Sequence, residues 1–267
     1  MRTAGAVVAV ALTGGAIWLA GGVDSDETAS SDPLPTTEAL GQIGRAQPAS
    51  PLTLVPPGEA LEKYLTDPQI NVVAQAAVSS LKVHEEPGSS EVTHTLTNPT
   101  ENGGPLVFLV HDLRDTWLHV DLPVRPNGTT GWIRASDVSL STNTYRIEVS
   151  RGERELRLYQ RDELIRESPV AIGSTDTPTP GGVFYIKELL QPPNPNTVYG
   201  PYAFGLSGFS NVLENFAGGE GVIGIHGTND PDAIGNEVSK GCIRLPNDEI
   251  TELAGILPLG TPVAILE

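Results

Sequence analysis

The 267-residue chain contains one cysteine and one methionine. A lone thiol cannot close an intramolecular disulfide, so it is either a packing group or a reagent. Nor can it build the thiolate cluster of a structural zinc site. Aromatic residues are scarce at 5%, and basic residues number 16 against 33 acidic ones, for a formal charge of −17. Phosphate contacts need clustered Lys and Arg, so this balance argues against nucleic acid as a partner. It equally disfavours electrostatic docking on anionic lipid. His84, His94, His111 and His119 fall in the first half of the chain, away from His226, and no His-Glu-x-x-His occurs. No phosphate-cradling glycine loop occurs either, so neither a metal nor a cofactor is expected.

What the chain does have begins with an uncharged run over residues 4–23, preceded by Arg2 and followed at once by Asp24, Asp26 and Glu27. That reads as an export signal with small residues Ala20 and Gly22 at a cleavage site, or as an uncleaved N-terminal membrane anchor. Either way the expected location is the extracytoplasmic cell envelope. No cysteine lies near the run, which excludes a bacterial lipid anchor. Residues 24–70 read as a linker. The stretch 24–68 holds seven prolines and eight acidic residues against two basic ones, too little apolar surface to offset the entropy of ordering. A short helix is allowed near 57–66.

The remainder reads as mainly β. Over residues 71–141, short strands are expected at 71–78, 81–84, 92–96, 106–111, 117–122 and 131–134. Turns fall at Glu86-Pro87-Gly88, Asn102-Gly103-Gly104 and Pro126-Asn127-Gly128. Several strands in so short a span suggest a small barrel. The segments Trp117-Leu118-His119-Val120 and Gly131-Trp132-Ile133 resemble a bacterial Src-homology-3-like domain. Trp117 and Trp132 are expected in the barrel core, where large aromatics usually go, with a wall-binding groove as the alternative. Over 144–267, strands are expected at 145–150, 155–160, 163–170, 182–187, 222–226 and 262–266. One helix is expected over 247–254, its start marked by Pro246 and the run Asn247-Asp248-Glu249. The pattern suggests a β-sandwich with a peripheral helix.

Cys242 lies in Ser239-Lys240-Gly241-Cys242-Ile243-Arg244, sixteen residues after His226 in Ile225-His226-Gly227-Thr228. A thiolate is a nucleophile, and a nearby imidazole can take its proton and lower its pKa. Turn residues Asn229-Asp230-Pro231 and Gly235-Asn236 are enough to bring two strand ends together. Gly241 allows close backbone approach, and its N–H and that of Cys242 could face a developing oxyanion.

Together these segments resemble the signature of the YkuD-type L,D-transpeptidases, and Ile172-Gly173-Ser174 with Thr177-Pro178-Thr179-Pro180-Gly181-Gly182 resembles that family's second block. The resemblance covers 144–267. It implies Cys242 as nucleophile, His226 as general base and later acid, and the Gly227 carbonyl as the group orienting the imidazole. It further implies the N–H groups of Lys240, Gly241 and Cys242 as the oxyanion hole and Ser239 as a loop brace. Arg244 then contacts a substrate carboxylate or holds the loop. The implied partners are peptidoglycan stem peptides, with acylation by a carbapenem. Water as acceptor makes the chain an L,D-carboxypeptidase, and a non-catalytic wall-binding module is the alternative outside enzymes. An NlpC-type endopeptidase usually places its Cys before its His, the reverse of the order here. Many family members carry His where this chain has Lys240, and Lys cannot relay a proton near neutral pH.

Overall fold

The computed structural model describes residues 53–55, 60–214 and 220–267. The export signal and the first part of the linker lie outside the described residues. The last part of the segment read as linker is built into the fold: strand β1 (Thr53–Val55) pairs with β8 (Val138–Asn143), and helix α1 (Ala60–Leu65) buries Leu61.

The N-terminal lobe adds β2 (Asn71–Ala76), the hairpin β3 (Ser80–Val83) and β4 (His94–Thr97), then β5 (Val107–Arg114), β6 (Trp117–Asp121) and β7 (Thr130–Arg134). Six strands form one antiparallel sheet in the order β1-β8-β2-β5-β6-β7. Leu81, Val83, Phe108, Leu118, Val120 and Ile133 are completely buried in its core. Strand alternation decides which residues join them. Leu118 and Val120 point inward, so Trp117 and His119 point to the other face, and Trp132 faces outward because Ile133 faces in. The two indoles are therefore absent from the core where the sequence put them. They are buried beneath charge instead: Arg134 lies over Trp117 at 4.4 Å, Arg114 over Trp132 at 4.7 Å, and His119 stacks on Trp132.

The C-terminal lobe comprises β9 (Tyr145–Ser150), β10 (Glu155–Gln160), β11 (Glu163–Pro169), β12 (Ile172–Gly173), β13 (Gly182–Leu190), β14 (Ala203–Phe209), β15 (Val222–His226), β16 (Glu237–Ser239), β17 (Ile243–Arg244), helix α2 (Asn247–Ile256) and β18 (Pro262–Leu266). Eight of these strands form a single sheet, ordered β11-β10-β9-β18-β13-β14-β15-β17. Long strand β13 turns the corner: residues 182–185 pair with β18 and residues 186–190 with β14. Ile147, Leu156 and Leu158 from one half and Phe204, Ile225 and Ile243 from the other then share one core. The two layers expected of a sandwich are thus the two halves of one curled sheet. Ile250, Leu253 and Ala254 seat α2 on that core.

The lobes meet over an apolar contact of Val73, Val107 and Leu109 with the fully buried Tyr185, whose hydroxyl donates to the Val107 carbonyl at 3.0 Å.

Candidate active site

Strands β15 and β17 run parallel, with Ile225 opposite Ile243 and His226 opposite Arg244. Ile225 and Ile243 are both completely buried, which turns the neighbouring positions to the opposite face. Extending that register by one residue sets Cys242, just before β17, opposite Gly224, so that Gly224, His226, Cys242 and Arg244 fall on one face with Cys242 and His226 on a diagonal. Strand spacing and rise make that diagonal roughly 8 Å between Cα atoms, within the combined reach of the two side chains. Gly224, opposite Cys242, has no side chain to block it.

The imidazole is buried and aimed. His226 Nδ1 lies 2.6 Å from the Gly227 carbonyl oxygen, which can only accept, so Nδ1 carries the proton and Nε2 keeps its lone pair. Tyr199 packs edge-on against the ring at 5.0 Å. It comes from a loop of Pro and Asn residues that carries no periodic signal, and the sequence reading missed it. Asn247 is a second missed residue. Its Oδ1 accepts the Thr228 N–H at 2.8 Å, and a Cβ on Gly227 or Gly200 would approach that oxygen to 2.3 or 2.4 Å. Only glycines let α2 come this close behind His226. A cleft of about 780 Å³ opens beside this junction, lined by Asn196, Thr228, Asn229, Asn247 and Asp248 among others.

Burial dominates the titration of both reactive groups. It pushes the His226 pKa down to about 4, aided by the like charge of Arg244 and opposed by backbone hydrogen bonds with Gly227 and Val198. It pushes the Cys242 thiol up to about 11, opposed by a backbone hydrogen bond from Gly224 and the Arg244 charge. The resting pair is neutral thiol and neutral imidazole. The expected lowering of the thiol pKa is therefore reversed, because desolvation outweighs the nearby groups.

The loop before Cys242 is held from two sides. Buried Ser239 donates its hydroxyl to the Cys242 carbonyl, and its Oγ accepts the Gly241 N–H at 3.1 Å. Gly241's N–H is thus taken up internally and does not face an oxyanion as expected. Gly241 sits at φ +112°, where glycine alone is relaxed, although a Cβ there would meet nothing closer than 3.7 Å. The Ser239 carbonyl accepts from Ser174 N at 2.9 Å and from Thr177 Oγ1 at 3.1 Å. Gly173 permits this brace, since a Cβ would lie 2.3 Å from the Thr177 carbonyl. Arg244 makes no ion pair among the described residues, and its Nε is buried without a partner. Lys240 is exposed. Among the described residues no group of three or more His, Cys, Asp or Glu could hold a metal, and no helix is long and apolar enough to cross a membrane.

A Cys–His pair presented by adjoining parallel strands of a mainly β lobe defines a class of site, and comparison with known proteins gives its family. Residues 144–265 match the family described as YkuD, L,D-transpeptidase catalytic domain. The chain is 44% identical over 124 residues to the YkuD protein of Bacillus licheniformis, covering 46% of this chain and 67% of that one. It is 40% identical to the Bacillus subtilis YkuD protein over the same shares of each chain. Both relatives are named as L,D-transpeptidases. Among solved structures, the catalytic domain of the Enterococcus faecium L,D-transpeptidase acylated by ertapenem is 25% identical, covering 45% of this chain and 95% of that one at a TM-score of 0.32. The chain belongs to the YkuD family of L,D-transpeptidase catalytic domains.

Proposed function

We propose that this protein is a cysteine-dependent L,D-transpeptidase that cross-links peptidoglycan stem peptides through a thioester acyl-enzyme. The observation that carries the reading is the diagonal of Cys242 and His226 with Nδ1 fixed on the Gly227 carbonyl. Cys242 Sγ attacks the carbonyl of the third stem residue while His226 Nε2 takes the thiol proton. The tetrahedral oxyanion is stabilised by the N–H groups of Cys242 and Lys240. The bond to the terminal D-Ala breaks, its nitrogen takes the proton from the imidazolium, and a thioester remains. An amine of a neighbouring stem then attacks, giving its proton to Nε2, and the sulfur leaves and is reprotonated. Arg244, with its unpartnered Nε, suits the stem carboxylate.

Water in place of the amine gives an L,D-carboxypeptidase. Incubating the protein with a purified disaccharide-tetrapeptide and weighing the products separates the outcomes. Dimer supports the transpeptidase, tripeptide alone the carboxypeptidase, and unchanged substrate a wall-binding module. On the same reading we place the protein in the extracytoplasmic envelope, exported or anchored by residues 1–23, and assign residues 71–141 to an SH3-like domain.

Lys240 gives the first prediction. Its ammonium is exposed, and Coulomb attraction in water is weak, so Lys240→Ala should cost less than about tenfold in kcat/KM. Lys240→His should retain or improve activity. A loss as large as that of His226→Ala would place the ammonium in the chemistry.

A further inference from the structure

The hairpin joining β6 to β7 reaches out of the N-terminal lobe and grips the other lobe. Arg125 donates from Nη1 to the Ser210 carbonyl at 2.9 Å, and from Nη2 to the Leu213 and Glu220 carbonyls at 2.9 and 2.8 Å. Its guanidinium lies over the Phe209 ring at 4.9 Å. Two residues on, Asn127 Oδ1 accepts the Phe209 N–H at 2.9 Å, and Asn127 Nδ2 donates to the Phe209 carbonyl at 2.8 Å. Three carbonyls from both ends of the β14–β15 connection thus converge on one side chain. Only a planar fork of donors can satisfy them together.

The gripped segment leads straight into the active site. Gly221, at φ +70°, packs so closely that a Cβ would stand 2.1 Å from the Leu213 carbonyl and 3.0 Å from Arg125 Nη2. The next residue begins β15, which carries Gly224 and His226. The β14–β15 ladder is broken between Gly205↔Gly224 and Phe209↔Val222, where β14 has two residues more than β15. On the N-terminal side of the bulge β15 keeps one ladder pair, Phe209↔Val222. The start of β15 is therefore held by that pair, by the Ser210 N–H on the Gly221 carbonyl at 2.8 Å, and by the Arg125 grip on the same connection.

We propose that Arg125 is a positioning residue for the active site, setting where β15 presents Gly224 and His226 to Cys242. The proposal rests on the catalytic reading above, but its first test does not require turnover. The Gly224 backbone bond favours the Cys242 thiolate, and so does the charge of Arg244. Letting β15 shift weakens the Gly224 bond and leaves the thiol harder to ionise.

The experiment is the pH profile of Cys242 alkylation by iodoacetamide in the full-length protein, with Arg125→Ala and Arg125→Lys beside wild type. Arg125→Ala should alkylate about threefold more slowly at each pH below the thiol pKa, a rise of about 0.5 pH unit. Arg125→Lys keeps the charge but cannot hold three carbonyls, and should fall between. Turnover of the disaccharide-tetrapeptide should lose kcat with KM within about twofold. A wild-type alkylation profile in a folded Arg125→Ala protein overturns the proposal, even if its melting temperature falls. If Arg125→Ala does not fold, Arg125→Lys decides by the same criterion. A shifted profile in a protein whose wild type lacks turnover supports the positioning role and overturns the transpeptidase reading instead.

Discussion

Cys242→Ala should abolish turnover of a disaccharide-tetrapeptide, and Cys242→Ser should do nearly as much, with both proteins folded. Cys242 is half-buried in a loop held by Ser239, Ser174 and Thr177 through backbone and hydroxyl bonds that a smaller side chain leaves intact. There is no second thiol to substitute. Serine keeps the geometry but presents an oxygen that is far harder to ionise in a site that already pushes the sulfur up to about 11. The same variants should lose carbapenem acylation. Wild type should gain one drug mass on Cys242, since the strained ring carbonyl offers the thiol an electrophile that leaves a stable thioester. Intact mass and peptide mapping check this. An adduct that survives in Cys242→Ala, or wild-type turnover by that variant, would end the proposed mechanism.

The proposed Cys242–His226 pair could be picked out because its residue types stand at a fixed spacing, and because β15 is an apolar run ending at His226. Strands that alternate were legible too. Strand β14 was not: all seven residues of Ala203–Phe209 are buried, and a strand covered on both faces shows no period of two. Its glycines carry little strand propensity of their own. They are there because Gly205 and Gly208 lie under Glu188 and Phe184, where a Cβ would come within 2.5 and 2.4 Å. The two-residue strands β12 and β17 are too short to carry any period. Trp117 and Trp132 misled for a related reason. Both faces of their strands are buried, one by apolar packing and the other by arginines, so burial alone did not tell inside from outside. The Gly241 N–H was misassigned because only coordinates show that Ser239 reaches it first.

His226→Ala should lower kcat/KM by about 10²–10⁴-fold, the usual cost of losing a general base. The pH dependence is the sharper test. With the imidazole held down to about 4 and the thiol up to about 11, burial favours the neutral pair over the ion pair in the free enzyme. A preformed thiolate is therefore not the resting nucleophile. The proton must move as the carbon–sulfur bond forms, when the negative charge passes to an oxygen facing N–H donors and Gly227 and Val198 hold the new imidazolium. The sign follows directly: the base is active while neutral, so activity is lost as pH falls through the folded-state imidazole pKa. The acid limb of kcat/KM should lie near 4, well below the ordinary imidazole value of about 6.5, and should vanish in His226→Ala. Raising pH toward neutrality should change little, because both groups already have their working protonation states. An acid limb at or above 6.5 in wild type would mean that the resting pair is thiolate and imidazolium, and that the desolvation of this face of the sheet does not govern its chemistry.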